Sequence, residues 1–145
     1  MTDTLTVTRI FAAPRQLVWD AVVKPEHFSV WFGTAAVDVP LDELDWAPRA
    51  GAPWKAVMRL PDGNRIDWEG EFLEIEEPSR LVFTMTDVPG DDPGLPTTIT
   101  LREVEAGTEL TYVQGTPGFS DEQVEATREG VNSFFDTMAA EVLGL

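Results

Sequence analysis

Several residue types are scarce in this chain of 145 residues, and each scarcity excludes a kind of chemistry. The chain has no cysteine and one histidine, which excludes disulfides, thiol nucleophiles and zinc sites built from cysteine and histidine. Basic residues are also few, with 10 Lys and Arg against 26 Asp and Glu. The formal net charge of −16 repels phosphate backbones and anionic lipid, so we expect neither nucleic acid nor membrane as a partner.

Long apolar runs are absent as well. No segment approaches the roughly 18 apolar residues of a membrane-spanning helix, and the first five residues lack the pattern of a secretory signal. We therefore expect a cytoplasmic protein. Its content of 43% hydrophobic and 25% charged residues is typical of a globular protein, and its length fits one domain over residues 1–145. No cofactor is predicted and no metal ligands are assigned, which leaves a hydrated carboxylate site for a hard cation open.

The segment 120–143 has the clearest pattern in the chain, that of a long amphipathic helix. Ser120 and Gln123 have the spacing of a capping box, which predicts the helix start. At 1.5 Å per residue the helix would be about 36 Å long, enough to cross a small sheet. One face carries apolar residues at spacings of three and four: Val124, Val131, Phe134, Phe135, Met138, Ala139, Val142 and Leu143. This face is interpreted either as part of a core or as the wall of a ligand cavity.

The rest of the chain predicts strands, with two short helices (14–23 and 25–31) after the first strand. In the fourth predicted strand the apolar alternation slips after Phe72, which indicates a β-bulge, and Gly70 permits a bend there. Seven strands in mostly sequential hairpins and one long helix predict an α+β fold in which a curved antiparallel sheet grips that helix. The predicted strands are 5–11, 34–40, 53–60, 65–76, 80–86, 97–105 and 108–115.

An apolar and aromatic set of side chains is expected between the sheet and the long helix. Such a lining is typical of a site that binds a hydrophobic small molecule and orients it with a few polar groups, here Tyr112 and Gln114. The same side chains could instead fill the interior completely. The predicted ligand-binding residues are Trp54, Met58, Trp68, Phe72, Phe83, Met85, Ile99, Leu101, Tyr112, Gln114, Phe134, Phe135 and Met138.

Candidates for catalysis are few, and none is assigned as a catalytic residue. His27 is interpreted as a surface residue of a short helix and not as a general base. Asp67, Glu69 and Glu71 alternate on the face opposite the apolar one, which favours solvated charges over a catalytic pair. The chain has neither a glycine-rich phosphate loop after a strand nor a serine in a nucleophile elbow. An enzyme is therefore the less favoured interpretation.

Short segments along nearly the whole chain match one known family when taken in order. In that order they resemble the bacterial homologues of the activator of heat-shock protein 90 ATPase, a family of the START-like or SRPBCC superfamily. The resemblance implies the helix-grip fold, which the birch pollen allergen shares. The matching segments are FAAPRQLVWDA (11–21), PEHF (25–28), WFG (31–33), DG (62–63), GEFLEI (70–75), PSRLVFT (78–84), GTELT (107–111) and REG (128–130).

The chain departs from the family pattern at three positions. Where it has Phe32 and Val131 the family commonly has tryptophan, and where it has Ala52 the family usually has a second glycine. Smaller side chains at these positions would reshape a cavity, so the identity of a ligand does not carry over from the family.

Three functions are consistent with the residues and the resemblance. The favoured one is a non-catalytic binder of a hydrophobic small molecule. The superfamily also implies a polyketide cyclase or aromatase, for which Tyr112, Gln114 and Arg59 are the residues to test. The family name and the acidic surface suggest a co-chaperone-like module that binds a protein partner. The oligomeric state, monomer or homodimer, is left open by the sequence.

Overall fold

The structure, a computed structural model, describes residues 4–33, 37–90 and 94–145. Within these residues six antiparallel strands form one sheet in the order β1-β6-β5-β4-β3-β2. The strands from β2 to β6 each lie beside their neighbour in sequence, and β1 pairs with the last strand. The strand bounds are β1 Thr4–Phe11, β2 Pro53–Arg59, β3 Arg65–Glu76, β4 Arg80–Phe83, β5 Thr97–Val104 and β6 Gly107–Gly115. The predicted α+β class with one antiparallel sheet is confirmed.

Two short helices follow β1, and one long helix follows β6. The short helices are α1 (Arg15–Val23) and α2 (Pro25–Gly33), and the long one is α3 (Asp121–Thr137), which continues as a π-helical turn over Met138–Val142. Ser120 caps α3 through the predicted capping box: its hydroxyl accepts from the Gln123 backbone N–H at 3.1 Å, and the Gln123 side chain accepts from the Ser120 N–H at 2.8 Å. The capping box satisfies two backbone N–H groups at the helix start.

The predicted count of seven strands is wrong by one. Residues 34–36 of the strand predicted over 34–40 lie outside the described residues, and the remainder forms a single bridge, between Asp38 and Arg59. The alternation that suggested a strand reflects burial, because Val39 is only 4% exposed. Apolar alternation reports which side chains face the core, and it does so whether or not the backbone pairs in a ladder.

The bulge predicted in β3 is present, and β4 is shorter than predicted. The register between β3 and β4 shifts between Phe72 and Glu74. β4 ends at Phe83, three residues before the predicted end of 80–86. The chain nevertheless keeps contact with β3, since the N–H groups of Thr84 and Thr86 donate to β3 carbonyls at 2.9 Å.

Gly70 in β3 is required by a close approach of two neighbouring strands. A Cβ atom at this position would lie 1.9 Å from the carbonyl oxygen of Thr84 and 2.6 Å from Nε1 of Trp54. That indole N–H donates to the same Thr84 carbonyl at 2.8 Å. Only glycine leaves room for this hydrogen bond, which ties β2 to the segment after β4.

Aromatic side chains fill the interior where α2 meets the sheet. Phe28 of α2 stacks on Trp46 with ring centroids 3.8 Å apart, and Trp46 in turn contacts the rings of Trp54 and Phe72 at 5.1 and 4.9 Å. All four side chains are at most 2% exposed. At this end, aromatic side chains therefore fill the space between the sheet and the helices.

The helix α3 is fastened to the outer strand β1 by two arginines. Arg9 of β1 donates to the backbone carbonyl of Asn132 at 3.2 Å and to the carboxylate of Asp136 at 2.7 Å. From α3, Arg128 donates to the carbonyl of Thr6 at 3.1 Å. These contacts hold one flank of α3 against the sheet, and the other flank faces the space described next.

Candidate ligand cleft

A cleft of about 510 Å³ separates the free flank of α3 from the sheet. Such a volume lies within the range of small-molecule sites. Residues of β3, β5, β6, α2 and α3, and of the segments that follow β4 and β6, line the cleft. It is lined by Phe32, Trp68, Met85, Thr86, Asp87, Gly94, Leu95, Thr97, Tyr112, Gln114, Gly115, Pro117, Phe119, Thr127, Gly130, Val131 and Phe134.

Three aromatic rings from different elements form one wall of the cleft. Phe32 of α2 lies between Trp68 of β3 and Phe134 of α3, with ring centroids 5.7 and 5.3 Å away. The indole N–H of Trp68 is buried and has no acceptor among the described residues. The three rings present apolar surface that suits a hydrophobic ligand, and the Trp68 N–H adds one neutral hydrogen-bond donor to the wall.

Neutral polar groups form a short hydrogen-bonded chain on the sheet side. Residues 112 and 114 are two apart on β6, so both side chains point to the same face. The Tyr112 hydroxyl donates to the Gln114 side-chain oxygen at 2.6 Å. The hydroxyl of Thr97, on the neighbouring strand β5, also hydrogen-bonds the phenol. Tyr112 and Thr97 are buried, whereas Gln114 is partly exposed and forms the end of the chain nearest solvent.

Burial controls the ionisation of this phenol. Removal of the hydroxyl from water raises the pKa of Tyr112 well above its ordinary value of 10.0, and the hydrogen bond from Thr97 opposes the shift only in part. Tyr112 therefore carries its proton at neutral pH. It can donate or accept a hydrogen bond there, but it brings no charge to the cleft.

Gly130 leaves open space on the cleft side of α3. A Cβ atom added at this position would meet no atom within 4 Å, although Gly130 lies in the helix interior and lines the cleft. Glycine in a helix interior is unfavourable relative to alanine by about 1 kcal/mol. Gly130 is exposed, so it lies at the open edge of the cleft, where a larger side chain can be added without a clash.

Leu95 covers the far end of β6 at the edge of the cleft. Its side chain packs so closely on Gly115 that a Cβ atom added to the glycine would lie 2.4 Å from the Leu95 Cβ. Leu95 is 50% exposed, and Phe119, which also lines the cleft, is 39% exposed. Both side chains thus bring apolar surface to the edge of the cleft.

The structure divides the thirteen predicted site residues between the cleft and the core. Five of them line the cleft: Trp68, Met85, Tyr112, Gln114 and Phe134. The other eight are buried in the core and do not line it: Trp54, Met58, Phe72, Phe83, Ile99, Leu101, Phe135 and Met138. The two alternatives from the sequence, a filled interior and an open cavity, therefore both occur, at different ends of the same interface.

Several lining residues were not among the predicted ones. Phe32 and Val131 carried a signal, because the comparison with the family pattern indicates that smaller side chains at these positions reshape a cavity, but neither is among the predicted ligand-binding residues. Leu95 and Phe119 lie in irregular segments, where no periodicity assigns a side chain to a face. Thr97 starts β5 as a buried polar residue, and polar residues are normally expected to face solvent.

The residues considered for catalysis are not assembled at the cleft. Arg59 pairs with Glu43 on the surface, and this pairing lowers the pKa of the Glu43 carboxyl. Neither Arg59 nor His27 lines the cleft, so of the three residues to be tested for a cyclase only Tyr112 and Gln114 lie together. Glu69, one of the three alternating carboxylates considered in the sequence, does not line the cleft either. Its carboxylate accepts a hydrogen bond from the Gly90 backbone N–H at 2.7 Å.

A second groove, of about 570 Å³, lies where α2 and the segment 37–41 meet the end of α3. No aromatic side chain is among the described residues that line it. It also lacks a buried polar group comparable to Tyr112, so the cleft is the better candidate for a ligand site. None of the helices in the described ranges combines the length and the hydropathy needed to cross a membrane.

A six-stranded antiparallel sheet with a long C-terminal helix packed across it, and a cleft between the two, defines a helix-grip protein of the START-like, or SRPBCC, superfamily. The family model described as activator of Hsp90 ATPase homolog 1-like protein matches residues 12–142. The chain belongs to this family, as its sequence segments suggested.

Solved structures of similar proteins share the fold over nearly the whole chain. Protein CV1439 from Chromobacterium violaceum is 25% identical, with a TM-score of 0.83 and coverage of 97% of this chain and 98% of the other. The AHSA1 protein from Silicibacter pomeroyi is 25% identical, with a TM-score of 0.79 and coverage of 97% of both chains. No curated protein shows significant similarity to the chain.

A further solved structure that resembles the chain is DynU16, described as a putative protein in the dynemicin biosynthetic locus. It is 25% identical, with a TM-score of 0.75. The match covers 97% of this chain but 47% of DynU16. The chain is thus similar to about half of that protein.

Proposed function

We propose that the protein binds a hydrophobic small molecule in the cleft between α3 and the sheet. The observation that carries the proposal is the composition of the cleft, an aromatic wall opposite one chain of neutral hydrogen-bonding groups that ends at Gln114. An apolar lining with a few convergent polar groups is the arrangement by which proteins bury and orient such ligands. Membership of the family is compatible with this function but does not specify it.

The glycine of α3 gives a direct test, because bulk can be added to the cleft without removing any contact. Because Gly130 lines the cleft at its exposed edge, we expect the apolar ring of Gly130→Phe to fold inward over the cleft and to block the site. In Gly130→Ala the added methyl group is too small to fill the cleft, which makes it the matched control. Both variants remove a helix glycine, so we expect each to raise the free energy of unfolding, by up to about 1 kcal/mol for alanine.

Binding can be measured with Nile red, an uncharged apolar dye, and by native mass spectrometry of protein mixed with uncharged apolar compounds. We expect saturable binding to the wild type and to Gly130→Ala, and its loss in Gly130→Phe. Binding that survives in a folded Gly130→Phe would place the ligand elsewhere. A flat titration of the wild type would contradict the proposal itself.

A second candidate is an enzyme that acts on a polyketide-like substrate, favoured by the similarity to DynU16. In this reaction the Tyr112 hydroxyl, which now donates to Gln114, would turn its proton to a substrate carbonyl. The test is incubation with a poly-β-ketone mimic, analysed for cyclised product. Conversion by the wild type that is lost in Tyr112→Phe, with binding retained, would support this function. Binding without conversion would leave the binder as the better description.

A further inference from the structure

The cleft offers no positive charge to a ligand. Among the described lining residues there is no Lys, Arg or His, and the one acidic residue is Asp87, which is exposed. Eight of the ten basic residues of the chain form ion pairs with carboxylates outside the cleft: Arg9, Arg15, Lys24, Arg59, Arg65, Arg80, Arg102 and Arg128. A ligand carboxylate in the cleft would therefore lose water without gaining a counter-charge.

The hydrogen-bonded chain fixes what β6 can offer to a polar group, and the unpaired indole N–H of Trp68 on β3 is a second neutral donor in the lining. The Tyr112 proton is directed to the side-chain oxygen of Gln114, so that oxygen already has a donor. The amide nitrogen of the same side chain carries two N–H groups and is left for other partners. Because Gln114 is partly exposed and lines the cleft, the group that it presents there is a neutral hydrogen-bond donor.

We propose that the cleft selects an uncharged ligand, with an apolar body against the aromatic wall and a carbonyl or ether oxygen that accepts a hydrogen bond from the Gln114 amide. This inference rests on the proposed function and adds the ligand class to it. Carboxylates such as fatty acids are disfavoured, because the cleft has no cation to pair with them and the whole molecule carries a charge of −16.

Four probes with similar apolar chains separate the effect of ligand charge from that of the hydrogen bond with Gln114. They are methyl decanoate, decanoate, decylamine and decane, each titrated as a competitor of Nile red. We expect methyl decanoate to compete most strongly, and decanoate to be weaker by about tenfold or more, which corresponds to about 1.4 kcal/mol. Repeating the titration in about 1 M NaCl, where the Debye length is about 3 Å, removes the general repulsion by the protein. The preference for the ester over the carboxylate should persist in this salt.

Two variants of Gln114 test the assigned donor. Gln114→Met keeps the volume and removes the amide, and Gln114→Glu keeps the shape but offers no N–H group. In both we expect methyl decanoate to weaken by roughly three- to tenfold, the value of one hydrogen bond, while decane is unchanged. Thermal unfolding of each variant checks that the fold is intact.

The outcomes distinguish this inference from the proposed function. Decanoate or decylamine binding as tightly as the ester would overturn the inference, and so would an ester affinity unaffected by both folded Gln114 variants. In each of these cases binding in the cleft itself would stand. If neither Nile red nor any of the four probes binds to the wild type, the proposed function fails and this inference fails with it.

Discussion

At the scale of single residues, Tyr112 shows how burial changes chemistry. It is the one tyrosine of the chain, and it lies at the end of the packed core where the cleft begins, so its hydroxyl is out of water yet hydrogen-bonded to Gln114 and Thr97. The fold stabilises the neutral phenol, and the phenolate would be buried with no cation beside it among the described lining residues.

This burial predicts a loss of stability at alkaline pH. Folding raises the pKa of Tyr112 above its value of 10.0 in the unfolded chain, so the folded protein binds the extra proton. The stabilisation is complete below pH 10 and is lost above it, by about 1.4 kcal/mol for each pH unit from this group. Urea unfolding of the wild type and of Tyr112→Phe across this range measures the difference.

The variant should show a smaller decline above pH 10 than the wild type. At neutral pH it should be less stable by about 1 to 3 kcal/mol, because the partners of the phenol lose a hydrogen bond in a buried setting. Ultraviolet absorbance of the phenolate gives an independent reading, since no other tyrosine contributes. Equal slopes for both proteins, or ionisation of the phenol before unfolding, would contradict the assignment.

At the scale of secondary-structure elements, the start of α3 could be predicted from the sequence, whereas the pairing of residues 37–40 could not, since a strand was predicted there and a single bridge forms. The start of α3 depends on contacts within four residues, Ser120 with Gln123, and such contacts are visible in the sequence. A strand depends on a distant partner. Val39 is buried, but the hydrogen bonds of its segment are decided by how the chain lies along β2, and one bridge at Asp38 is all that the described part forms there.

Removing the cap of α3 should destabilise the protein measurably. We expect Ser120→Ala to lower the free energy of unfolding by about 1 kcal/mol, because the Gln123 N–H loses its acceptor. Ser133→Ala is the matched control: the same substitution at an exposed position inside α3, where no cap is lost. Chemical denaturation of both variants provides the comparison. Equal effects at the two positions would show that the capping box does not stabilise α3.

At the scale of the whole molecule, the acidic surface is a source of repulsion. With 26 acidic and 10 basic residues, most carboxylates have no cation to pair with. The ion pairs that do form are surface contacts, such as Arg128 with Glu125 on α3, and each contributes little. Repulsion among the unpaired carboxylates therefore outweighs the attraction within the pairs.

Salt should consequently stabilise the protein. Between about 0.01 M and 0.1 M NaCl the Debye length falls from about 30 Å to about 10 Å, so repulsion across the molecule is screened and Tm is expected to rise. A double variant, Glu105→Gln with Glu129→Gln, removes two exposed carboxylates that form no ion pair among the described residues. Its Tm should depend less on salt. A fall of Tm with salt would mean that the ion pairs dominate.

The sequence by itself determined the class of the fold, the capped start of α3, the bulge after Phe72, the family and the absence of thiol chemistry. These features depend on local patterns, on composition or on segments matched in order. Only the tertiary structure decided which end of the interface is open. Trp54 and Trp68 look alike in the sequence, yet Phe28 and Trp46 pack around Trp54, while the space beside Trp68 extends to Gly130. Whether a side chain meets a neighbour or a void depends on residues far away in the chain, which no local pattern contains.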